Sequence, residues 1–557
     1  MAFLAACPQL DALLDIAAVG VCVHYIFKKT ETHEPLLFLP LIFGVPAILT
    51  KFYHPRAAGL LSTIVIVSGT FWASLLASIG IYRLSPWHPL AKYPGPILCK
   101  LSKFRLAYLC AQGKQHMDYQ TLHEKYGDVV RVGPNEISIC NVDAVNPLMG
   151  SLGLPKGQFW EGRIDEAEAI KPLVAIRDKT EHARRRRPWT RAFSTSALKG
   201  YEDLVIKRST QLVDAIASKS NPVDLTRWVS YFTYDIMSDL AFGGGSEMLA
   251  QGDSSGLWHL LENGQKNAIV MAQVPWLGKL LLRYPLFAGG IKAFRAYGRN
   301  RALLRKKMGS SHKDIFHHLI DEDGVFSQPP SVAEIASDGS LAIIAGSDTT
   351  SSAIANLLYF LMTHPTPCKR LQAEVDELGD DLYDCTKQAH LPYLTAAINE
   401  SLRLLPPILS GSQRQGEKGS GGKLLGSYYL PEGNSAFIPT YALQRDPRYF
   451  SPFADRFIPE RWLSEDKRME LEPKIFGNGN FVLNTTAFIP FSTGPANCVG
   501  KNLAWMEMRM VIVLIMRRLD IRLEDGYNPQ RWSSDIKDQF VTMKGVLPTM
   551  LTLRKAA

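Results

Sequence analysis

The longest apolar runs of this 557-residue chain lie within its first 85 residues. Residues 57–82 carry no formal charge, and about 20 such residues are enough to cross the roughly 30 Å hydrocarbon core of a bilayer. Two weaker runs, residues 10–27 and 35–50, are interrupted by polar residues and by prolines. We expect one membrane span at 57–82 and one or two further spans or re-entrant segments, with a buried helical hairpin of a soluble protein as the alternative.

The chain changes character after Arg83, where four prolines fall between positions 86 and 96. Such a segment is stiff and suits a link between a membrane region and a globular region. Basic residues follow the last apolar run, which places that side in the cytoplasm by the positive-inside tendency. We therefore predict a membrane anchor at residues 1–84 and a catalytic region at residues 85–557.

Apolar residues at helical spacing predict two long buried helices in the globular region, at about residues 331–363 and 501–519. Gly346 lies inside the first pattern, where a glycine costs about 1 kcal/mol relative to alanine, so a packing or functional reason is expected. Asp348 and Thr349 follow it and offer a carboxylate and a hydroxyl for proton transfer. An ordinary polar kink in a helix is the alternative.

The second predicted helix is preceded by Phe491-Ser-Thr-Gly494-Pro495-Ala-Asn-Cys498-Val-Gly500. If the helix begins at or just after Cys498, its free N–H groups and positive end favour the thiolate over the thiol. The two glycines remove side chains where the backbone would approach a flat macrocycle, and the proline stiffens the turn. A lone cysteine at a helix start is otherwise more often a small buried hydrophobe, so the interpretation depends on its context.

Two further motifs lie between these helices. Glu400-Ser-Leu-Arg403 places a carboxylate and a guanidinium on one helical face. Phe457-Ile-Pro459-Glu460-Arg461-Trp462 follows after some fifty residues. Each motif alone is weak, because such pairs are common on protein surfaces.

In this order the four motifs resemble those of the cytochrome P450 superfamily, the haem-thiolate monooxygenases, and the resemblance covers about residues 86–555. It implies a mainly α fold with small β-sheets, here preceded by an N-terminal transmembrane region. It also implies a haem b with the Cys498 thiolate as its axial ligand. By the same resemblance Phe491, Gly494 and Gly500 belong to the haem-binding loop.

The resemblance assigns roles to the other motifs as well. Glu400, Arg403 and Arg461 would form a buried hydrogen-bonded network behind the haem, with a structural role. Thr349 would turn its hydroxyl toward dioxygen instead of bonding its own i−4 carbonyl, and Asp348 would link that site to solvent protons.

The chain departs from the family pattern at Ala496, where an arginine or histidine usually meets a haem propionate. Another cationic or donor group must then meet that carboxylate. His182 and Arg186 stand where the family has its Trp-x-x-x-Arg helix, and Arg414 follows Arg403 by eleven residues. These three residues are the propionate candidates that the sequence offers.

The net charge of +9 is modest, and the basic residues are not interleaved with aromatics, so no nucleic-acid partner is expected. The eight cysteines show no Cys-x-x-Cys or paired spacing, which argues against a disulfide framework or a zinc site. No Gly-x-Gly-x-x-Gly segment is present, so electrons must come from another protein. Similar membrane-bound members use NADPH-cytochrome P450 reductase at the endoplasmic reticulum. A basic rim for docking it would comprise Arg184, Arg185, Arg187 and Lys501.

The residues expected to line the substrate pocket are apolar or aromatic, which predicts a lipophilic substrate that reaches the site from membrane lipid. They are Phe159, Trp160, Ile343, Ile344, Ile408 and Leu409. The cysteine loop resembles those of fungal members, which implies a terpenoid, sterol-like or other secondary metabolite, with a foreign aromatic compound second. The alternatives are a haem-thiolate isomerase or dehydratase, which tends to lack the acid–alcohol pair kept here, and a non-catalytic haem-based sensor or lipid carrier.

Overall fold

The computed structural model describes residues 10–30, 34–54, 59–164, 170–254, 256–310, 312–477 and 479–554. Helices dominate it. The N-terminal helices are α1 (Leu10–Lys29), α2 (Pro35–Leu39), α3 (Val45–Tyr53) and α4 (Leu60–Leu84), with a π-helical turn, Pro40–Gly44, between α2 and α3. The remaining helices are α5 (Ile97–Leu101), α6 (Phe104–Gln112), α7 (Gln115–Tyr126), α8 (Val145–Met149), α9 (Lys179–Ala192), α10 (Thr195–Lys199), α11 (Glu202–Ala217), α12 (Leu225–Phe242), α13 (Met248–Gln251), α14 (Leu257–Gln273), α15 (Pro275–Leu281), α16 (Pro285–Met308), α17 (Ile315–Leu319), α18 (Val332–Thr363), α19 (Pro365–Asp376), α20 (Cys385–Ala389), α21 (Pro392–Leu404), α22 (Thr440–Leu443), α23 (Glu465–Leu471), α24 (Pro473–Phe476), α25 (Lys501–Arg518) and α26 (Gln530–Asp535).

The strands are short and form small sheets. They are β1 (Val129–Gly133), β2 (Glu136–Ile139), β3 (Val223–Asp224), β4 (Arg414–Gln415), β5 (Lys423–Leu425), β6 (Tyr428–Leu430), β7 (Ser435–Phe437), β8 (Phe450–Ser451), β9 (Val482–Leu483), β10 (Leu519–Leu523), β11 (Lys537–Gln539), β12 (Val541–Met543) and β13 (Pro548–Leu553). The largest sheet has the order β1-β2-β7-β4, and β2 and β7 run parallel in it. This architecture confirms the predicted mainly α fold with small sheets.

The N-terminal region contains three helical segments that are long and apolar enough to cross a bilayer, Leu10–Lys29, Leu36–Tyr53 and Leu60–Leu84. The last corresponds to the run predicted at 57–82, of which residues 57 and 58 lie outside the described residues. Helices α1 and α4 approach closely at Gly20, since a Cβ there would lie 2.9 Å from the Phe71 carbonyl oxygen.

Two of the contacts that join this region to the globular part lie between α15 and residues 34–38. The ring of Phe38, on α2, stacks on Trp276 of α15 with the centroids 4.4 Å apart. Glu34 and Lys279 form an ion pair beside it. Helix α15 is therefore held against the N-terminal segment.

Helix α18 crosses the centre of the molecule and begins within one residue of its predicted start. Ser331 caps it, since its hydroxyl accepts from the Glu334 N–H while the Glu334 carboxylate accepts from the Ser331 N–H at 2.7 Å. The glycine inside the helix has a packing reason, because a Cβ at Gly346 would collide with the Met237 side chain of α12. Helix α25 packs beside α18, and its residues from Met508 to Met516 are almost all fully buried. These two helices place the cysteine loop next to the middle of α18.

Candidate active site

A cavity of about 830 Å³ lies between α9, α18, α25 and the loop that precedes α25. It brings together most of the residues that the sequence singled out. Those that line it are Cys498, Phe491, Gly500, Thr349, His182, Arg186 and Arg414. Gly494 and Asp348 lie outside its lining.

The cysteine loop is fixed by its own backbone. The Cys498 N–H donates to the Phe491 carbonyl oxygen at 2.9 Å, which closes the loop. Gly494 has φ +72°, and a Cβ there would collide with the Met149 carbonyl, so this position requires glycine. A Cβ at Gly500 would meet only ordinary contacts, at 3.5 Å or more. The two glycines therefore differ: the first is needed for chain packing, and a macrocycle remains the predicted reason for the second.

The Cys498 side chain opens into the cavity at the start of α25. Burial of the surrounding loop raises the pKa of its thiol, and the Gly500 N–H, Arg186 and Lys501 only partly oppose this effect. The Gly500 N–H at the helix end favours the thiolate but does not outweigh burial. A metal ion bound to the sulfur would deprotonate it outright, which fits the role of an axial ligand.

Four basic side chains gather on the cavity wall: Lys156, His182, Arg186 and Arg414. Lys156 is 8% exposed, and its ammonium donates to the Leu173 carbonyl oxygen at 3.1 Å. Burial, Arg414 and Arg186 lower the pKa of Lys156 to about 7. Burial, followed by the charges of Lys156, Arg186 and Arg414, lowers the pKa of His182 to about 4. No carboxylate from the described residues pairs with this cluster. Buried cations without a counter-anion suit a ligand that carries carboxylates, as haem does.

Arg186 and Arg414 each have additional protein partners. Arg186 donates to the carbonyl and side-chain oxygens of Asn497 at 2.7 and 2.6 Å, so it clamps the residue before Cys498. Arg414 is 3% exposed and donates to the Ser412 hydroxyl at 3.0 Å, and burial lowers its pKa to about 10. Both still border the cavity, where Ala496 leaves room for a ligand carboxylate.

Sequence reasoning missed Lys156, because nothing local marks it. It reaches the cluster through a β-bridge with Arg414, more than 250 positions away. A contact of such long range has no signal in one sequence.

Sequence reasoning also missed Glu507, a cavity-lining carboxyl that is 1% exposed. Burial raises the pKa of Glu507 to about 8, although a hydrogen bond with Thr350 opposes the effect, so the group is protonated at neutral pH. The sequence does mark this residue, because Glu507 is the single acidic residue within the largely apolar helix α25.

On α18 the Thr349 hydroxyl donates to the Ala345 carbonyl oxygen at 2.6 Å. The expectation that the hydroxyl would avoid its own i−4 carbonyl is therefore wrong for this state. A threonine at mid-helix has that acceptor within reach of its side chain. Its oxygen can still accept a hydrogen bond from a molecule in the cavity.

The network around Glu400 is fully buried. Arg403 and Arg461 reach its carboxylate at 2.8 and 2.9 Å, and all three side chains are 0% exposed. Burial raises the pKa of Glu400, but the two arginines outweigh it and lower the value to about 2. Arg403 also donates to the Gln444 carbonyl at 2.7 Å, and the Gln444 side chain accepts from the Ile489 N–H at 2.8 Å. The network thereby reaches the segment that carries Phe491.

Two groups of predicted residues need correction. Arg185 is 4% exposed and pairs with Asp338 at 2.8 Å, so it is not part of a surface rim, and Arg184 pairs with Glu181 at 2.7 Å. Of the expected pocket walls, Trp160, Ile344 and Ile408 line the cavity, whereas Phe159, Ile343 and Leu409 pack into the hydrophobic core. Neighbours along a helix or an extended segment face different directions, so only one of each adjacent pair reaches the cavity.

A cysteine before a buried helix, opening into a cavity whose wall carries cations without a carboxylate partner among the described residues, is the arrangement expected of a haem-thiolate protein. The chain matches the family model Cytochrome P450 over residues 89–545. The chain belongs to the cytochrome P450 family.

Curated relatives match nearly the whole chain. It is 33% identical to the cytochrome P450 monooxygenase FCK2 of Fusarium pseudograminearum, over 96% of both chains. It is 32% identical to the cytochrome P450 monooxygenase nodW of Hypoxylon pulicicidum, over 92% of this chain and 91% of the relative. It is 29% identical to the tryprostatin B 6-hydroxylase of Aspergillus fumigatus, over 96% of this chain and 95% of the relative. The protein is thus a P450 monooxygenase similar to fungal enzymes.

Proposed function

We propose that this monooxygenase inserts one atom of dioxygen into a lipophilic secondary metabolite, with electrons supplied from NADPH by a separate reductase. The observation that carries the proposal is the cavity, whose wall is largely apolar and which opens on one side to Cys498. The name of one relative, a tryprostatin B 6-hydroxylase, agrees with an oxidation of this kind. A terpenoid or sterol-like metabolite fits the apolar wall.

The residues that line the cavity would suit a haem b. Cys498 would bind its iron, and Lys156, His182, Arg186 and Arg414 would hold its propionates in place of the side chain that Ala496 lacks. When bound, the haem supplies the activation of dioxygen. Lys156 and Arg414 are buried and would give charge-assisted hydrogen bonds to a carboxylate.

Protons would reach the cavity along α18. Thr349 borders the cavity and would accept or relay a proton through its hydroxyl, with Asp348 beside it as the link toward solvent. The Glu507 carboxyl is protonated at neutral pH and borders the same space, so it is a second proton source within the site.

The three N-terminal apolar helices would anchor the enzyme in the endoplasmic reticulum, with residues 85–557 forming the catalytic domain on the cytoplasmic side. Arg187 and Lys501 are exposed near the cysteine loop, and they would form the basic rim that meets an acidic reductase surface.

The test starts with Cys498→Ser. The wild-type protein should show the red-shifted Soret band of the reduced CO complex, and the variant should lose it. Incubation with reductase, NADPH and a panel of lipophilic candidates should then couple NADPH consumption to a product one oxygen atom heavier. A rearranged product without NADPH consumption would indicate an isomerase, and binding without turnover a carrier; either result would refute the proposal.

A further inference from the structure

The cavity has a second basic group, at a place that the haem cluster does not account for. Arg163 ends a 3₁₀-helical segment, Gln158–Arg163, and borders the cavity. Its guanidinium lies over the rings of Trp160 and Phe540, at 4.9 and 5.3 Å from their centroids. Phe159 completes this aromatic surround at 5.8 Å.

Arg163 has no anionic partner among the residues that the structure describes. Its Nη1 atom is buried and makes no hydrogen bond. Glu161, two positions away, pairs instead with Lys171 at 2.9 Å. Burial, followed by the charge of Arg295, lowers the pKa of Arg163 to about 10, so the group stays charged at neutral pH. A charged, half-buried guanidinium whose Nη1 atom is buried and which has no anion beside it is unfavourable unless a ligand supplies one.

A second donor stands beside it. The Trp160 side chain is 7% exposed, and its indole N–H has no acceptor within the described part of the chain. Two neighbouring donors and a positive charge match the two oxygens of a carboxylate. A neutral acceptor would satisfy the hydrogen bonds but would leave the charge unpaired.

The backbone holds this pair of donors in place. A Cβ at Gly162 would collide with the Met271 carbonyl, and a Cβ at Gly278 would lie 2.6 Å from the Gly162 carbonyl oxygen, so the segment packs directly on α14 and α15. Arg295 donates to the Arg163 carbonyl oxygen at 2.6 Å. The position of Arg163 is therefore set by close packing rather than by an exposed loop.

We propose that the substrate is a lipophilic molecule that carries a carboxylate, and that Arg163 with Trp160 anchors this carboxylate at one end of the cavity. This inference deepens the proposed function and rests on it for the oxidation step. The aromatic rings enclose the anchored end, while the apolar remainder lies toward the cysteine side.

The test compares dodecanoic acid, its methyl ester and dodecan-1-ol as ligands of the full-length haem protein at neutral pH. Binding is followed by the high-spin shift of the Soret band and, independently of the haem, by isothermal titration calorimetry. Loss of a hydrogen bond to a charged group predicts that the acid binds about 10- to 100-fold more tightly than the ester. Equal binding of acid and ester by the wild-type protein would overturn the inference.

Arg163→Gln should abolish the preference for the acid and leave binding of the ester within about threefold. Arg299→Gln is the matched control, since Arg299 also borders the cavity, one turn beyond Arg295 on α16; it should keep the preference. An equal loss of the preference for the acid in both variants would show that the positive charge of the whole cavity favours the acid. That result would overturn the anchor. If the glutamine variant does not fold, Arg163→Lys is tested in its place. It keeps the positive charge, so it must retain part of the preference for the acid.

Different results would refute the proposed oxidation and the proposed carboxylate anchor. A protein that lacks a thiolate-ligated haem but prefers the acid by calorimetry would refute the oxidation and leave the anchor standing. A protein with the red-shifted CO band but no preference for the acid would refute the anchor alone.

Discussion

Replacement of Lys156 by methionine tests how the haem propionates are held. The methionine keeps much of the volume of the side chain and removes its charge. The pKa of Lys156 falls from its ordinary value of 10.5 to about 7. At 1.36 kcal/mol per pKa unit, this difference means that the site disfavours the charged ammonium, relative to the neutral amine, by about 5 kcal/mol. A propionate beside it would recover part of that free energy.

The expected size of the effect follows from the hydrogen bond that is lost. A hydrogen bond to a charged group contributes about 1.5–3 kcal/mol, so Lys156→Met should release haem about 10- to 100-fold faster. The measurement is the rate of haem transfer to an excess of apomyoglobin. Lys179→Met is the matched control, because Lys179 is exposed and its ammonium donates to the Gly153 carbonyl outside the cavity; it should release haem at the wild-type rate.

The pH dependence gives a second test. The unpaired ammonium has a pKa of about 7, and pairing with a propionate raises it. The contribution of the pair to haem affinity is therefore complete below pH 7 and is lost as the pH rises through the raised value. His182, with a pKa of about 4, stays neutral over this range. Haem release from the wild-type protein should accelerate between pH 7 and 9, whereas the variant should show a flatter profile. Haem release from Lys156→Met at the wild-type rate at pH 7 would refute the assignment.

Three further changes probe other parts of the site. Thr349→Ala should keep the red-shifted CO band but divert NADPH electrons to peroxide, measured as product formed per NADPH; a normal yield would contradict its role in proton delivery. Glu400→Gln should destabilise the protein by about 3–5 kcal/mol, because two buried arginines lose their counter-charge. Urea unfolding measures this, and Glu465→Gln, which removes an exposed carboxylate, should change stability by at most about 1 kcal/mol. The double variant Arg187→Glu and Lys501→Glu should slow haem reduction by the reductase and weaken its salt dependence; unchanged salt dependence would mean that these residues are ordinary surface.

The elements predicted well are those encoded by short segments of sequence. Helix α18 carries its capping box and its apolar spacing within one segment, and the structure begins it at Val332, within one residue of the prediction. The cysteine loop is likewise local, since Gly494 and Cys498 lie within a few positions of the helix they precede. Such patterns need no knowledge of distant contacts.

The misplaced residues depend on contacts across the fold or on helix phase. Lys156 lies at the cavity because its backbone forms a β-bridge with Arg414, and no local sequence pattern predicts that bridge. Arg185 could have been placed correctly, because it falls on one helical face with Trp189 and Ala192, and that face is buried. Because residues 184–187 are all arginines, the residue types alone do not show which of them lies on the buried face.

The stacking of Phe38 on Trp276 links the proposed ligand pocket to the N-terminal apolar helices. Helix α15 contacts the segment that presents Trp160, so the wall of the cavity is tied through α15 to a residue of the N-terminal region. Shortened versions that begin after residue 84 would lack all three apolar helices and this support, while keeping every residue of the haem site. Ligand selectivity measured on trimmed protein should therefore be checked against the untrimmed enzyme in lipid nanodiscs before it guides a search for the natural metabolite.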